Sequence, residues 1–324
     1  MNVKLRTSPN GQPDATAPGL IVLGDIGIDM VMGPLPEWPR IGVETLMPRS
    51  DMRAGGSAGN AALALQALGA PVCMLSAAGN DALGLWLKSQ FAGIDAVVAT
   101  CDTATAVSVG IVHACGERNF FTTHGHLDHQ DWSQFVTFVP PARDEGAIAL
   151  LTGVFLLPRL RANYGHILSH LRHLGYQIAL DTGWPPETWT GSVVAETRAW
   201  LAQVDHVLLN ELEITALAGD DDLDTAMTQV SSWLAPGACL VAKIGRRGAI
   251  GISGGVRSTA SPPPSADSIF DTIGAGDAFN AGYLHARSRG AAMADALRMG
   301  CETATRIIAQ FPRQHMALFQ PEGA

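Results

Sequence analysis

Short unbroken apolar runs recur along the chain, each ending in small or polar residues: LIVLGDIGID from Leu20, PVCMLSAAGND from Pro71, AIALLTG from Ala147, QIALDTG from Gln177, DHVLLNE from Asp205 and CLVAKIG from Cys239. Runs of this length without polar alternation suit strands buried on both faces. Helical patterns lie between them. After Gly59, residues Ala61, Ala62, Leu65 and Leu68 fall on one face, and Gly69 supplies a stop before the next strand. Strand and helix alternating in this way predicts a mainly parallel sheet with right-handed crossovers and helices on both sides, an α/β/α sandwich of three layers.

Two stretches break the alternation. Residues 31–53 are rich in Pro and Met, and residues 104–123 read as two strands around a Cys-Gly-Glu turn. Both are assigned to a small β-sheet projecting from the main body. Residues 1–18 mix polar residues with three prolines and no period, which predicts a mobile tail ahead of a single domain over 19–324. Asp25, Asp29, Asn80, Asp81, Asp181, Asn210, Glu211 and Gly245 all fall at the carboxyl ends of predicted strands. Open α/β sheets bind ligands along that rim.

Charge narrows the functions open to such a fold. The formal net charge is −9, and no block of Lys or Arg is present to replace phosphate counterions, so neither a nucleic acid nor an anionic membrane is an expected partner. No apolar run approaches the ~20 residues that cross a bilayer, and the first 18 residues lack the apolar core of a secretory signal, which together predict a cytoplasmic protein. The five cysteines are widely spaced without a C-x-x-C pair and read as reduced, mostly buried thiols.

The most informative segment is DTIGAGDAFNAGYLHA, residues 271–286. Gly274, Ala275 and Gly276 let the backbone turn tightly into a helix, whose unpaired first-turn N–H groups and positive dipole end would together hold an anion. Asp277 sits inside that turn. A carboxylate beside an anion cradle makes chemical sense as a proton acceptor: donors stabilise a phosphoryl group in flight while the acid takes the proton of the attacking hydroxyl. A bare helix-stabilising acid is the plainer account of Asp277, and the Gly-Ala-Gly run with Asp271 weighs against it. In AGGSAGNAALALQALGA, residues 54–70, two glycines permit close approach of a ligand to the backbone, and Asn60 offers a donor and acceptors to a polyol.

The chain resembles the ribokinase-like PfkB carbohydrate kinases over about residues 20–312. DTIGAGD (271–277) is similar to that family's C-terminal motif and GGSAGN (55–60) to its N-terminal one. GDIGID (24–29), NELE (210–213) and KIGRRG (243–248) resemble its first-strand, NxxE and nucleotide-loop segments. The resemblance implies a kinase that uses ATP and Mg²⁺ to phosphorylate a hydroxyl of a small sugar, or of a nucleoside. Asp277 would be the base, with the amides of Gly274, Ala275 and Gly276 as anion hole. Asp29, Gly56 and Asn60 would bind substrate hydroxyls. Asn210 and Glu213 would place Mg²⁺ through water, and Lys243, Gly245 and Gly248 would meet the nucleotide. Asp271 and the carbonyl of Ile273 resemble a K⁺-site segment of some relatives. The projecting sheet would be a lid that excludes water, and its partly apolar residues Val107, Val109 and Ile111 would face a second copy in a homodimer or the substrate. Gly27, Thr152-Gly153 and Cys301 depart from residues often found in relatives. Few basic residues lie in the lid (Arg49, Arg53, Arg118), which points to an unphosphorylated acceptor.

Two features invite other chemistry. His124, His126 and His129 cluster in THGHLDH, but without an acid or Cys at zinc-site spacing they read as a solvent-facing loop after a lid strand, with His124 the member able to approach the substrate. Gly55, Ser57 and Gly59 satisfy G-x-S-x-G, the signature of a serine hydrolase. A nucleophile elbow needs a buried strand directly before it, whereas MPRSDMRAG is polar and broken by proline.

Overall fold

The computed structural model describes residues 19–114, 118–264, 269 and 271–310. The tail expected over residues 1–18 and the turn at 115–117 lie outside them. Thirteen strands are described: β1 (Leu20–Leu23), β2 (Gly27–Leu35), β3 (Arg49–Gly55), β4 (Val72–Gly79), β5 (Asp95–Cys101), β6 (Val107–His113), β7 (Arg118–Thr122), β8 (Ile148–Thr152), β9 (Gln177–Asp181), β10 (His206–Asn210), β11 (Cys239–Lys243), β12 (Ala249–Ser253) and β13 (Val256–Ala260). The α-helices are α1 (Ser57–Ala67), α2 (Ala82–Ser89), α3 (Pro158–Ala162), α4 (Tyr164–His173), α5 (Gly191–Leu201), α6 (Glu211–Ala218), α7 (Leu223–Ser231), α8 (Ala275–Arg287) and α9 (Met293–Ile308).

Nine strands form one sheet in the order β13-β12-β11-β10-β9-β8-β1-β4-β5, parallel throughout except for the β11-β12-β13 edge. Alternate residues of one strand face opposite cores, as the period of a strand requires. Ile21 and Leu23 pack with α3 to α7, while Leu20 and Val22 pack with α1, α2, α8 and α9. Each such Leu, Ile or Val, removed from water on both sides of the sheet, contributes about 1.5–3 kcal/mol. The expected three layers are therefore present. The chain runs from β1 to β4 on one side and reaches β8 on the other, so the strand order reverses beside β1, where ligands of open sheets bind.

The lid is a separate four-stranded sheet, β3-β2-β6-β7. It is larger than the predicted segments, because GDIGID is not the end of one strand. The main-sheet strand stops at Leu23, and β2 starts at Gly27 in the other sheet, paired with β3 and β6. Asp29 therefore stands on a lid strand rather than at the main-sheet rim. Helix α1 likewise starts at Ser57, two residues before the predicted Gly59.

The histidine loop departs from expectation in one residue. His126 is fully buried, accepting at Nδ1 from the Ala106 amide (2.9 Å) and pairing at Nε2 with the Ile26 carbonyl (3.0 Å). It ties the lid hinge to the first loop, and burial pushes its pKa below the ordinary value. His124 is exposed and pairs with Asp128. No helix among the described residues is long and apolar enough to cross a membrane.

Candidate active site

Gly274 opens α8 in the left-handed conformation (φ 75°). Only glycine adopts it without a Cβ penalty of about 1–2 kcal/mol. The turn consumes one of the three amides predicted to line an anion hole: Ala275 N–H donates to the Thr272 carbonyl (3.1 Å). Among the described residues no acceptor meets the amides of Gly274 and Gly276, which leaves two donors at the positive end of a 13-residue helix. The side chain of Asn60, from the first turn of α1, reaches this point and donates to Asp277 Oδ2 (2.9 Å). Residues 217 positions apart thus meet at one carboxylate.

The electrostatics around Asp277 are unusual. Removal from water is the main cause raising its pKa and the nearby Asp181 charge adds to it, so despite the Asn60 hydrogen bond it is pushed up to about 8. Asp181, at the end of β9, accepts from Lys243 Nζ (2.6 Å) and from Asn280 Nδ2. Lys243 also reaches Asn280 Oδ1 (3.3 Å). Burial alone would lower the Lys243 pKa, but the charges of Asp181 and Glu213 outweigh it and hold the ammonium above its ordinary value. Its Nζ lies 3.5 Å from where a Cβ on Gly276 would stand, beside the turn of α8. Glu213 is raised to about 7, first by burial and then by Asp181. Three carboxyls, those of Asp181, Glu213 and Asp277, therefore surround one ammonium. A site so short of positive charge suits a hard cation with oxygen ligands. Among the described residues no group of three His, Cys, Asp or Glu is arranged to hold a metal directly.

The N-terminal motif builds the opposite wall. Gly56 (φ 80°) has no room for a side chain, since a Cβ would stand 2.5 Å from the Asp25 carbonyl oxygen. A Cβ on neighbouring Gly55 would collide with the carboxyl of Asp29, which β2 lays across it. Asp25 serves the first turn of α1. Its carboxylate accepts from Ser57 N–H (3.1 Å), and its carbonyl accepts from Ala58 and Gly59 N–H (3.1 and 3.3 Å). Asp25 is itself raised to about 6 by burial, and its second carboxylate oxygen, packed near Gly153, has no partner among the described residues. Ser57 follows an edge strand of the lid, and the amides that an oxyanion hole would need are occupied, so the serine-hydrolase alternative lacks its elbow.

On the other side, Asn210 and Glu213 form a reciprocal capping box at α6: Glu213 N–H donates to Asn210 Oδ1, and Asn210 N–H donates to Glu213 Oε2, both at 2.8 Å. Gly245 (φ 59°) has open space around it, as a loop facing a ligand would. Gly248 (φ 97°) is explained by packing, because a Cβ would strike the Ala260 carbonyl of β13. Cys301 is buried among the helices packed on the sheet.

At the predicted K⁺ segment the structure places an arginine beside Asp271. Both Asp271 oxygens face Arg53, at 2.9 and 3.2 Å, and Oδ1 also accepts from Ile273 N–H (2.8 Å). Sequence reasoning missed this pair, together with Asn280 and the part played by Asp181. The only sign in the chain was an Arg two residues ahead of the N-terminal glycines.

Known proteins share this chain's fold and parts of its sequence. A cytidine kinase of Thermococcus kodakarensis is 30% identical over 111 residues, 34% of this chain; the chain spans 39% of the length of that relative. An Arabidopsis thaliana ribokinase solved with ribose and ATP shares the fold with TM-score 0.71 at 20% identity, covering 91% of this chain and 94% of that one. An adenosine kinase from Sinorhizobium meliloti does so with TM-score 0.72 at 20% identity, over 92% and 96%. The model of the pfkB family carbohydrate kinases matches residues 29–315, nearly the whole described chain, and the protein belongs to that family.

Proposed function

We propose that the protein transfers the γ-phosphoryl group of ATP to a hydroxyl of an unphosphorylated sugar, sugar acid or nucleoside. One observation carries the reading: two unmet amides at the start of α8 adjoin an acid whose pKa stands near 8. Asp277 takes the proton of the acceptor hydroxyl as its oxygen bonds to phosphorus and the bond to the departing ADP oxygen breaks. A base with a pKa near 8 is strong enough to accept that proton, and it becomes available as pH rises towards that value. Gly274 and Gly276 N–H, with the Lys243 ammonium beside them, face the charge that spreads over the moving group. Mg²⁺, held through water by Glu213 and Asn210, would neutralise the phosphate oxygens. Asp29 and Asn60 orient the acceptor, and Gly56 lets it approach the backbone.

Two lid arginines are already committed, Arg53 to Asp271 and Arg118 to Thr272 Oγ1 (3.0 Å), which supports an acceptor without a phosphate of its own. The cytidine kinase relative and the ribokinase fold support sugar and nucleoside acceptors alike. Asp277→Asn is expected to bind ATP within about threefold of wild type and to lose about 10²–10⁴ in kcat, because an amide accepts no proton. Calorimetry and an ADP-release assay over a library of sugars and nucleosides measure both; near-normal turnover contradicts the assignment.

A further inference from the structure

Arg53 belongs to the lid strand β3, yet it is buried, and of its two carboxylate partners among the described residues one, Asp51 (3.4 Å), lies on the same strand while the other lies 218 residues away. The distant partner, Asp271, stands three residues before Gly274. NH2 meets Oδ1 at 2.9 Å and NH1 meets Oδ2 at 3.2 Å, a two-point grip that a guanidinium forms and an ammonium does not. The next two residues are held by the same sheet. Thr272 Oγ1 accepts from Arg118 of β7, and the Ile273 side chain packs between Val31 of β2 and Val112 of β6. Asp271 Oδ1 also accepts from Ile273 N–H, and the Thr272 carbonyl accepts from Ala275 N–H. The turn that aims the Gly274 and Gly276 amides is thus fastened to the lid at three consecutive residues, and the charge at its root is balanced by the protein itself.

We propose that the Arg53 guanidinium supplies the positive charge at Asp271 and fixes it and the following turn, so that the anion-binding amides are formed without potassium. This rests on the kinase reading of α8. Arg53 is a positioning residue: it acts through Asp271 and touches no reacting atom. A potassium ion at this carboxylate would lie against a guanidinium of like charge and would find both oxygens taken by N–H donors. It gains nothing by binding unless Arg53 leaves.

The test uses the full chain with Mg²⁺ and a non-hydrolysable ATP analogue, so no acceptor need be known. Affinity is measured by calorimetry in potassium chloride and in tetramethylammonium chloride of equal ionic strength, and the melting temperature of the ligand-free chain is recorded in both salts. Wild type is expected to bind within about twofold in the two salts, since its cation is covalently attached. Arg53→Met removes the charge and keeps the stem; its affinity should fall about tenfold in tetramethylammonium and recover by about threefold or more in potassium, with a parallel rise in melting temperature. Arg53→Lys, which keeps the charge and loses the two-point grip, should fall between and serves if the methionine variant does not fold. A tenfold gain by wild type in potassium overturns the proposal whatever the variants do. So does an Arg53→Met protein that binds like wild type, or one whose loss potassium leaves unchanged. Failure of wild type to bind the analogue at all sinks the kinase reading instead, and the melting temperatures in the two salts still decide the cation question.

Discussion

Helices α1 and α8 begin alike and end up with opposite uses. Each follows a glycine of positive φ, Gly56 at 80° and Gly274 at 75°, and neither has a capping side chain of its own. Each needs partners for the first-turn amides that no helix satisfies internally. For α1 they come from Asp25, whose carboxylate and carbonyl together take the amides of Ser57, Ala58 and Gly59. For α8 the turn closes only on Ala275, and the amides of Gly274 and Gly276 meet no acceptor among the described residues. The first helix is sealed by the protein and offers its Asn60 side chain; the second keeps its dipole end open and carries Asp277 within it. On the proposed reading, two glycine-rich motifs that look interchangeable in the sequence divide the work, one as a wall and one as the anion site.

Substitutions that treat the two ends equally should give unequal results. Gly276→Ala meets only ordinary contacts, the nearest being Lys243 Nζ at 3.5 Å, so the fold should survive while the added methyl crowds the anion. Its kcat/KM is expected to fall about 10²-fold with little change in melting temperature, a loss of the size that a small misplacement of reacting groups causes. A loss of stability in place of activity would show that the turn is merely structural. Asp277→Asn should melt higher than wild type at pH 8. The acid titrates at its ordinary value when unfolded and near 8 when folded, so wild type loses stability as pH rises between these values, whereas an amide does not. The gap should close as pH falls below ~4, where the acid is protonated in both the folded and the unfolded state; a constant gap would contradict the raised pKa. At the sealed end, Ser57→Ala should keep kcat/KM within about twofold, because the amide of residue 57 and not its hydroxyl is what Asp25 holds. Loss of all turnover there would revive the hydrolase reading.

Much of this was legible from the residues. Unbroken apolar runs gave the parallel strands because both faces of each are covered, and Asp181 and Asn210 stand at the carboxyl ends of their strands as expected. What escaped was set by contacts across the fold. The run LIVLGDIGID reads as one strand, yet it divides between two sheets at Asp25, because the α1 amides hold that residue in place. His126 looks like a loop histidine until Ile26 and Ala106, 100 and 20 residues away, supply its partners. The strands AIGIS and VRSTA alternate too weakly to stand out, since they pair antiparallel at the sheet edge where one side is less covered. Asp271 suggested a cation site from local sequence, and only the lid reveals that an arginine already answers its charge.

The central claim is that Asp277, raised by burial and by Asp181, is the group that must lose its proton before phosphoryl transfer. The pH dependence of kcat/KM for wild type and Asp181→Asn tests it most directly. Wild type should gain activity with rising pH along a single limb near pH 8, and removing the Asp181 charge should move that limb to lower pH. A wild-type profile already flat from about pH 5 upward, or a limb that Asp181→Asn leaves in place, would contradict the account.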